Sequence, residues 1–453
     1  MINIPPEILN IYKRIQDNGF EIYFVGGCVR NAFLKRPVKD WDLTTNAKPE
    51  EIVKIFPDSF YDNNFGTVGI PHQLGGVVEI TTYRTESEYK DRRHPENVSW
   101  GKTIEEDLSR RDFTINAIAV KITGTDQEIV DPFLGIQDLE NKIIKAVGDP
   151  NKRFKEDALR LIRAVRIATE LEFTIEENTW GKIKEDSALI KDISSERIQN
   201  ELLRILSSTN PYQGIVLLKD SGLLQYIIPE LLEGEGLSQA RPGRHHTTDV
   251  FTHNLMSLKE TPSKDPIVRL AALLHDIGKP RVEGKDEDGL VTFHNHEIVG
   301  AKLVNEILER LKFSRKDKEK IVNLIRWHMF TVDEHITDAA IRRFIRRVGV
   351  DNVKDMMDLR IGDRLGGGTQ TAESWRLKLF KKRVEDQLKP APFSINDMAV
   401  DGNDVIRILE IKPSAVIGNI LEELFKEVDE DLSKNNKEYL EKRIRELGEK
   451  MVK

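Results

Sequence analysis

GGCVRNAFLKRPVKDWDLTT, residues 26–45, sets a glycine pair 14 residues ahead of a D-x-D pair. The run FEIYFV before Gly26–Gly27 reads as a short strand, and CVRNAFLKR after Gly27 reads as a helix. Backbone amides at such a glycine pair can approach a phosphate without side-chain interference. Arg30, one turn into the helix, would add positive charge to the same phosphates. If the D-x-D segment is a strand, Asp40 and Asp42 project on one face. Two carboxylates on one face make an oxygen-rich site for Mg²⁺, which would also hold triphosphate oxygens. A lone Gly-Gly is usually a turn and a lone D-x-D a solvated loop. At this spacing the two together point to a nucleoside-triphosphate site.

Outward from this segment, residues 20–147 read as mixed α/β. GTVGI, GGVVEITTYR and TINAIAVKIT carry β-branched residues and glycine punctuation and read as strands. From Asp149 onward the apolar residues recur at helical spacing, as in EDALRLIRAVRIATEL, SSERIQNELLRIL and DPIVRLAALLHDIGK. Turn-forming clusters at 148–151, 233–246 and 389–394 divide the chain. The expected organisation is an α+β head over 1–148, a helical neck over 149–232, a helical body over 233–390 and a helical tail over 391–453. No repeat of 20–50 residues and no low-complexity tract stands out.

Composition bounds the rest. The chain has 453 residues, 39% of them apolar and 32% charged, which suffices for buried cores in several domains. No stretch approaches the roughly 18 apolar residues of a membrane span. The first residues, MINIPPEILNIYKRIQDNG, carry charges through their apolar part, unlike a secretory leader. One cysteine, Cys28, excludes an internal disulfide and a Cys-based zinc site and fits a cytoplasmic protein. The net charge of −7 argues against a generic nucleic-acid coat but leaves room for a local basic groove. Residues 152–170 hold six basic side chains against three acidic ones.

The 26–45 block resembles the signature of class II nucleotidyltransferases of the polymerase β superfamily. These are the bacterial CCA-adding tRNA nucleotidyltransferases and poly(A) polymerases. The likeness continues in order through SRRDFTINAIAV (109–120), RFKEDALRLIRAVRIATEL (153–171) and ISSERIQNELLRIL (193–206). Asn31 stands where the family often has Asp, and Trp41 where it often has an aliphatic residue. Neither change removes a carboxylate. The resemblance implies a polymerase β-like head with a small mixed sheet, catalytic Asp40 and Asp42 on Mg²⁺, and CTP and ATP as substrates. Arg111, Asp112 and Asn116 would then contact phosphate and ribose. Glu79, on a strand by alternation, is either a third carboxylate or a brace.

Asp157 and Arg160 lie three apart in EDALR and would share a helix face. A carboxylate accepts from an exocyclic amino group and a guanidinium donates to a ring nitrogen or carbonyl. Cytosine and adenine both present an amino group there, so one Asp–Arg pair can admit C and A and reject U and G. By spacing alone an i,i+3 surface salt bridge fits as well; the resemblance implies a protein template for the incoming base. Arg163 and Arg166 continue that face towards triphosphate or primer phosphates. The polar stretch 85–109 resembles the flexible loop these enzymes use when switching from C to A.

A second constellation follows. Seven of the ten histidines fall in 245–328, among them His245, His246 and His294. His253, His275, Asp276 and Asp363 match the order H…HD…D of the HD phosphohydrolase superfamily. That donor set suits a divalent transition metal, Mn²⁺, Ni²⁺, Co²⁺ or Fe²⁺. His296 and His328 are candidates for a second ion. Residues 395–447 resemble the tRNA-binding tail of bacterial CCA-adding enzymes. Arg342, Arg343, Arg346 and Arg347 form a further stripe suited to phosphates. The expected activity is addition of C, C and A to a tRNA 3′ end without a nucleic-acid template. The alternatives are an A-adding enzyme or poly(A) polymerase, or an HD phosphohydrolase with a nucleotide-sensing head. The expected partner is tRNA, with no membrane and no obligate protein partner.

Overall fold

The computed structural model describes residues 2–62, 66–72, 76–84, 100–239, 248–388 and 394–451. The chain forms two compact units. One runs to Leu232 and takes in Arg310–Lys312; the other holds the rest from Glu233.

The first unit begins with α1 (Pro6–Asp17), β1 (Ile22–Val25), α2 (Gly27–Phe33), β2 (Trp41–Thr45), α3 (Pro49–Ile55), β3 (Phe60–Asp62), β4 (Thr67–Pro71) and β5 (Val77–Thr82). It continues with α4 (Ile104–Ser109), β6 (Ala119–Thr123) and β7 (Asp126–Val130). Among the described residues, seven strands make one mixed sheet in the order β3-β4-β5-β2-β1-β6-β7. The β2–β5 pair is parallel and the other neighbours are antiparallel. β1 is wholly apolar and buried on both faces, which suits a central strand. On one side Tyr12 of α1 stacks on Phe24 at 5.1 Å, and its hydroxyl joins Ile22 and Ile122. On the other, Tyr23, Val25 and Ala119 pack on Ile104 and Leu108 of α4.

The strand expected from Thr114 starts only at Ala119, because Thr114–Asn116 is a 3₁₀ turn. Thr114 bonds Asp138 and Asn116 bonds Asp112, so these side chains hold the backbone in a turn. Of the polar stretch 85–109, residues 85–99 lie outside the described part, and Ile104–Ser109 is helical rather than loop.

The helices that follow are α5 (Gly135–Glu140), α6 (Pro150–Glu156), α7 (Leu159–Leu171), α8 (Glu177–Asp186), α9 (Ser195–Ser207), α10 (Pro211–Asp220), α11 (Leu224–Ile227) and α12 (Pro229–Leu232). A two-stranded ladder joins β8 (Ile143–Ile144) to β9 (Thr174–Ile175). EDALR is therefore not one helix. The chain breaks at Asp157, which is extended (φ −141°, ψ 103°), and its Oδ1 accepts from Leu159 N at the start of α7.

The second unit holds α13 (Val250–Glu260), α14 (Pro266–Leu274), a β10 (Gly284–Lys285)–β11 (Val291–Thr292) ladder, α15 (His296–Arg310), α16 (Arg315–Trp327) and α17 (Asp338–Val348). It ends with α18 (Val353–Gly366), α19 (Trp375–Leu388), α20 (Gly402–Leu409), α21 (Ala415–Glu430) and α22 (Lys437–Met451). α14 is buried almost all round. α18 closes on α13 because Gly362 and Gly366 lack side chains: a Cβ there would fall 2.1 Å from Thr261 Oγ1 and 2.4 Å from Ser257 Oγ. The last three helices build a separate apolar core around Val405, Ile420, Leu424 and Ile444. The arginine stripe of α17 is only half open: Arg343 and Arg347 are exposed, but the other two arginines are taken up within the fold. Arg342 and Arg346 both clasp the buried Asp429 of α21, which satisfies a carboxylate that would otherwise be desolvated alone.

Candidate active site

The parallel β2–β5 ladder sets Asp42 and Glu79 in register on neighbouring strands. Both line a cleft of about 350 Å³. Asp40 stands one residue ahead of β2, in a bend and exposed, so only Asp42 is on the strand. Burial raises the pKa of Asp42, and Asp40 adds to the rise against Arg111 and Arg30. Glu79 is raised by burial and by Asp42 and Asp40. Three mutually repelling carboxylates favour a cation among them.

Gly26 adopts φ 71°, ψ −135°, open only to glycine. A Cβ there would lie 3.1 Å from Arg111 Nη1 and 3.4 Å from Asp42 Oδ2, so the glycine brings backbone against the carboxylate and the guanidinium. Gly27 lies next to the same Asp42 oxygen and Arg30. Arg30 is buried and gives Nη1 to Asn116 Oδ1 at 2.8 Å, and burial lowers its pKa to about 10. Cys28 is inert: its thiol bonds the Val25 carbonyl, and burial pushes it up to about 12.

Asp112 also lines the cleft. Its Oδ1 accepts from Phe113 N and Asn116 Nδ2, and its Oδ2 from Arg163 Nε at 3.0 Å. Burial would raise its pKa, but Arg163 and Asn116 hold it well below the carboxylate range. Asp157, Arg160 and Arg163 face the same cleft. Asp157 and Arg160 are not a salt bridge. Arg160 pairs with Glu156 at 2.9 Å and bonds the Arg110 carbonyl, while Asp157 Oδ2 accepts from Arg197 at 2.9 Å. Arg166 is not brought to the cleft. It is buried between Glu201 and Glu170, because α7 turns that position inward against α9.

Two residues of the cleft's frame had escaped the sequence reading. Asp107 is fully buried and holds Arg110 (2.6 Å) and Arg111 (3.1 Å). Its i,i+3 and i,i+4 spacing to them was visible within EEDLSRRD. Arg197 carried no local signal, since its partner is 40 residues away.

In the second unit His253 (α13), His275 and Asp276 (just after α14) and Asp363 (α18) converge. His253 Nε2 lies 3.2 Å from Asp276 Oδ2 and 3.3 Å from Asp363 Oδ1; His275 Nε2 lies 3.3 Å and 3.6 Å from the same atoms. His296, opening α15, and His328, closing α16, reach the other oxygen of Asp276 at 3.2 and 3.7 Å. His275, His296 and His328 each direct Nδ1 at the backbone carbonyl three residues before. That contact fixes the Nδ1–H tautomer and leaves the Nε2 lone pair for a metal. Burial would lower the His275 pKa, but Asp276 and Asp363 raise it to about 10, a demand for positive charge at this point. Two overlapping ligand groups result: His253, His275 and Asp363, and His275, Asp276 and His328. His245 and His246 lie outside the described residues, and His294 lines a hollow over this cluster together with Asp276, His296, His328 and Asp363.

Residues 22–145 match the poly(A) polymerase head domain, 172–234 the probable RNA- and SrmB-binding site of polymerase A, and 246–366 the HD domain. The chain is 32% identical to the CCA-adding enzyme of Ligilactobacillus salivarius over 99% of both chains. It is 31% identical to that of Enterococcus faecalis over 98% of this chain and 97% of the relative. The chain belongs to the CCA-adding enzymes. Among solved structures it is similar to the Bacillus stearothermophilus CCA-adding enzyme in complex with CTP (TM-score 0.69, 25% identity, 99% of each chain). The Thermotoga maritima CCA-adding enzyme complexed with tRNA shares the fold (TM-score 0.60, 19% identity, 98% and 96% covered). The expected α+β head and helical body are those of CCA-adding enzymes, and head and HD domain together imply dependence on a divalent metal. Among the described residues, no helix is long and apolar enough to cross a membrane.

Proposed function

We propose that this enzyme adds C, C and A to the tRNA 3′ end from CTP and ATP without a nucleic-acid template, and that one cleft does all three additions. The observation that carries this reading is the cleft itself: Asp42 and Glu79 line it together with Asp157 and Arg160. Full-length similarity to CCA-adding enzymes favours it over a poly(A) polymerase and over a hydrolase with a sensing head.

Asp40 and Asp42 would hold Mg²⁺, with Glu79 as third carboxylate. When bound, Mg²⁺ supplies Lewis-acid activation of the primer hydroxyl and neutralises charge on the leaving pyrophosphate. The Gly26–Gly27 backbone and Arg111 position the triphosphate, and Arg30 and Arg163 add positive potential. Asp112 and Asn116 orient the ribose. Asp157 accepts from the amino group of C or A, and Arg160 donates to the neighbouring ring acceptor. The tRNA 3′-hydroxyl oxygen then bonds to the α-phosphorus as the α-phosphorus–oxygen bond to pyrophosphate breaks, and the hydroxyl proton passes to solvent.

The test uses tRNA transcripts ending at the discriminator base, at C and at CC, each with Mg²⁺ and single labelled nucleotides or a mixture. Growth by C, C and one A, then a stop, is the expected result. A single A on CC ends only, or a long A ladder, would overturn it.

The Nε2 atoms gathered on both oxygens of Asp276 favour a second reading beside the first: the HD cluster holds one or two divalent transition ions. When bound, these would supply a metal-activated water for phosphate-ester hydrolysis. A cytoplasmic setting belongs to the same proposal, since the single buried thiol of Cys28 needs no oxidising compartment.

A further inference from the structure

The hollow over the HD cluster, about 380 Å³, is lined by Lys279, Met329 and Arg360 beside the metal-ligand candidates. A second hollow of about 370 Å³ adjoins it. Arg360 lines both, and Phe330–Val332 in the second continue directly from His328 and Met329 in the first. The second hollow is lined further by Arg364 of α18 and by Trp375 and Arg376 at the start of α19. Three guanidiniums therefore line this hollow together with Trp375, which is 59% exposed. Arg376 lies 5.3 Å from the Trp375 ring, and Arg364 is steadied by the Thr371 carbonyl at 3.0 Å. Arg360 bonds Asp363 at 3.1 Å, which ties this hollow to the ligand cluster. The nearby acids are engaged: Glu334 faces Arg376 at 3.8 Å and Glu373 pairs with Lys381. Arg360 and Arg376 thus each face a carboxylate while Arg364 is held by a neutral threonine, and the hollow offers guanidinium donors beside one exposed aromatic face.

Guanidiniums give planar donors to phosphate oxygens, and an exposed indole gives a stacking face to any base. A nucleotide uses both features at once, its base on the indole and its backbone phosphates on the guanidiniums. We propose that this hollow is a nucleotide subsite of the HD cleft. The base next to a terminal phosphate stacks on Trp375, and the adjoining backbone phosphates lie on Arg364 and Arg376. The HD site thereby takes the end of a single-stranded polynucleotide in preference to a free phosphate ester. This rests on the metal-site reading of the HD cluster. In the reaction it serves, a water oxygen bonds to phosphorus as the ester P–O bond breaks, and the departing oxygen takes a proton. The products are inorganic phosphate and a polynucleotide hydroxyl.

The experiment uses the full chain loaded with Mn²⁺. Substrates are pentaadenylate with a 3′-phosphate, pentaadenylate with a 5′-phosphate, adenosine 3′-monophosphate and p-nitrophenyl phosphate. One pentaadenylate should be preferred over p-nitrophenyl phosphate in kcat/KM by at least about tenfold. That preference should fall about tenfold in Trp375→Ala and in Arg364→Ala/Arg376→Ala, and Trp375→Phe should restore most of it. An unchanged preference in these variants, or equal use of the mononucleotide, overturns the subsite. If the wild-type protein hydrolyses none of the four, the hydrolytic reading of the HD cluster falls and the subsite is judged by binding. Titration with pentaadenylate should then quench a tryptophan component that Trp375→Phe lacks, with a midpoint that rises with salt. Identical quenching in the two proteins overturns the subsite.

Discussion

Asp157 Oδ2 accepts from Arg197 Nη2 at 2.9 Å, across 40 residues of chain, and not from Arg160 three residues on. The break between α6 and α7 turns the carboxylate towards α9, and Arg160 is drawn back to Glu156 and the Arg110 carbonyl. The two groups proposed to read the base are thus separately anchored. Arg197→Met should free Asp157 and blunt discrimination. Misaddition of U or G relative to C should rise about tenfold, in keeping with one charge-assisted hydrogen bond of roughly 1.5–3 kcal/mol. Single-nucleotide extension assays measure this ratio, and unchanged discrimination would remove Arg197 from the selecting machinery.

Asp42 and Glu79 differ in place: one is half-buried on a central strand, the other less enclosed on its parallel neighbour. Asp42→Asn should abolish addition, by about 10³-fold or more, with an unchanged circular-dichroism spectrum. Glu79→Gln should cost about 10- to 100-fold if it shares the cation, with a rise in the Mg²⁺ concentration needed for half-maximal rate. A normal Mg²⁺ requirement would make Glu79 a brace only.

Gly26→Ala combines a forbidden φ with a methyl 3.1 Å from Arg111. The strain is about 1–2 kcal/mol. It should appear mainly as a displaced Arg111 and a KM for CTP and ATP raised about tenfold or more. Steady-state kinetics on a CC-ended tRNA check it; a normal KM would mean that the triphosphate does not use this backbone.

The buried Asp107 gives a pH signature. Burial would raise its pKa, but Arg110 and Arg111 outweigh it and hold it at about 2, against 3.8 unperturbed. Because the folded value is the lower one, its contribution is present in full above about pH 4 and is lost as pH falls through 2. The shift is worth roughly 2 kcal/mol. Asp107→Asn should therefore lower stability by about that much at pH 7, and the gap should close towards pH 2. Denaturant unfolding at several pH values tests both halves.

His275→Ala and Asp276→Ala should each strip bound transition metal, measured by elemental analysis of protein reconstituted with Mn²⁺. CCA addition in Mg²⁺ should persist in both. His296→Ala should lower the metal content by one ion if two are held, and leave it unchanged if the site holds one. Loss of addition in a folded His275→Ala protein would count against separate sites.

Much of this molecule was legible locally. β1 announced itself by an unbroken apolar run, α14 by apolar residues at helical spacing, and the glycine pair by its place between strand and helix. The HD ligands were readable as residue types in order. Readings failed where a local pattern had two physical outcomes. The TIN turn used its side chains on Asp112 and Asp138 and left the ladder. Arg166, Arg342 and Arg346 looked like phosphate contacts because helical spacing gives a face but not what covers it. Glu201 and Asp429, 35 and 87 residues from Arg166 and Arg342, cover them.

The sequence by itself determined the order of the elements, the class of the head and the donor chemistry of both sites, since these depend on residue type and short-range period. Only the tertiary structure decided which charges remain available. Asp42 and Glu79 meet because two strands far apart in sequence pair in parallel register. Asp363 reaches His253 because Gly362 and Gly366 let α18 close on α13. A buried charge must find a partner wherever the packing offers one, and that partner is set by contacts between distant segments, which no local pattern encodes.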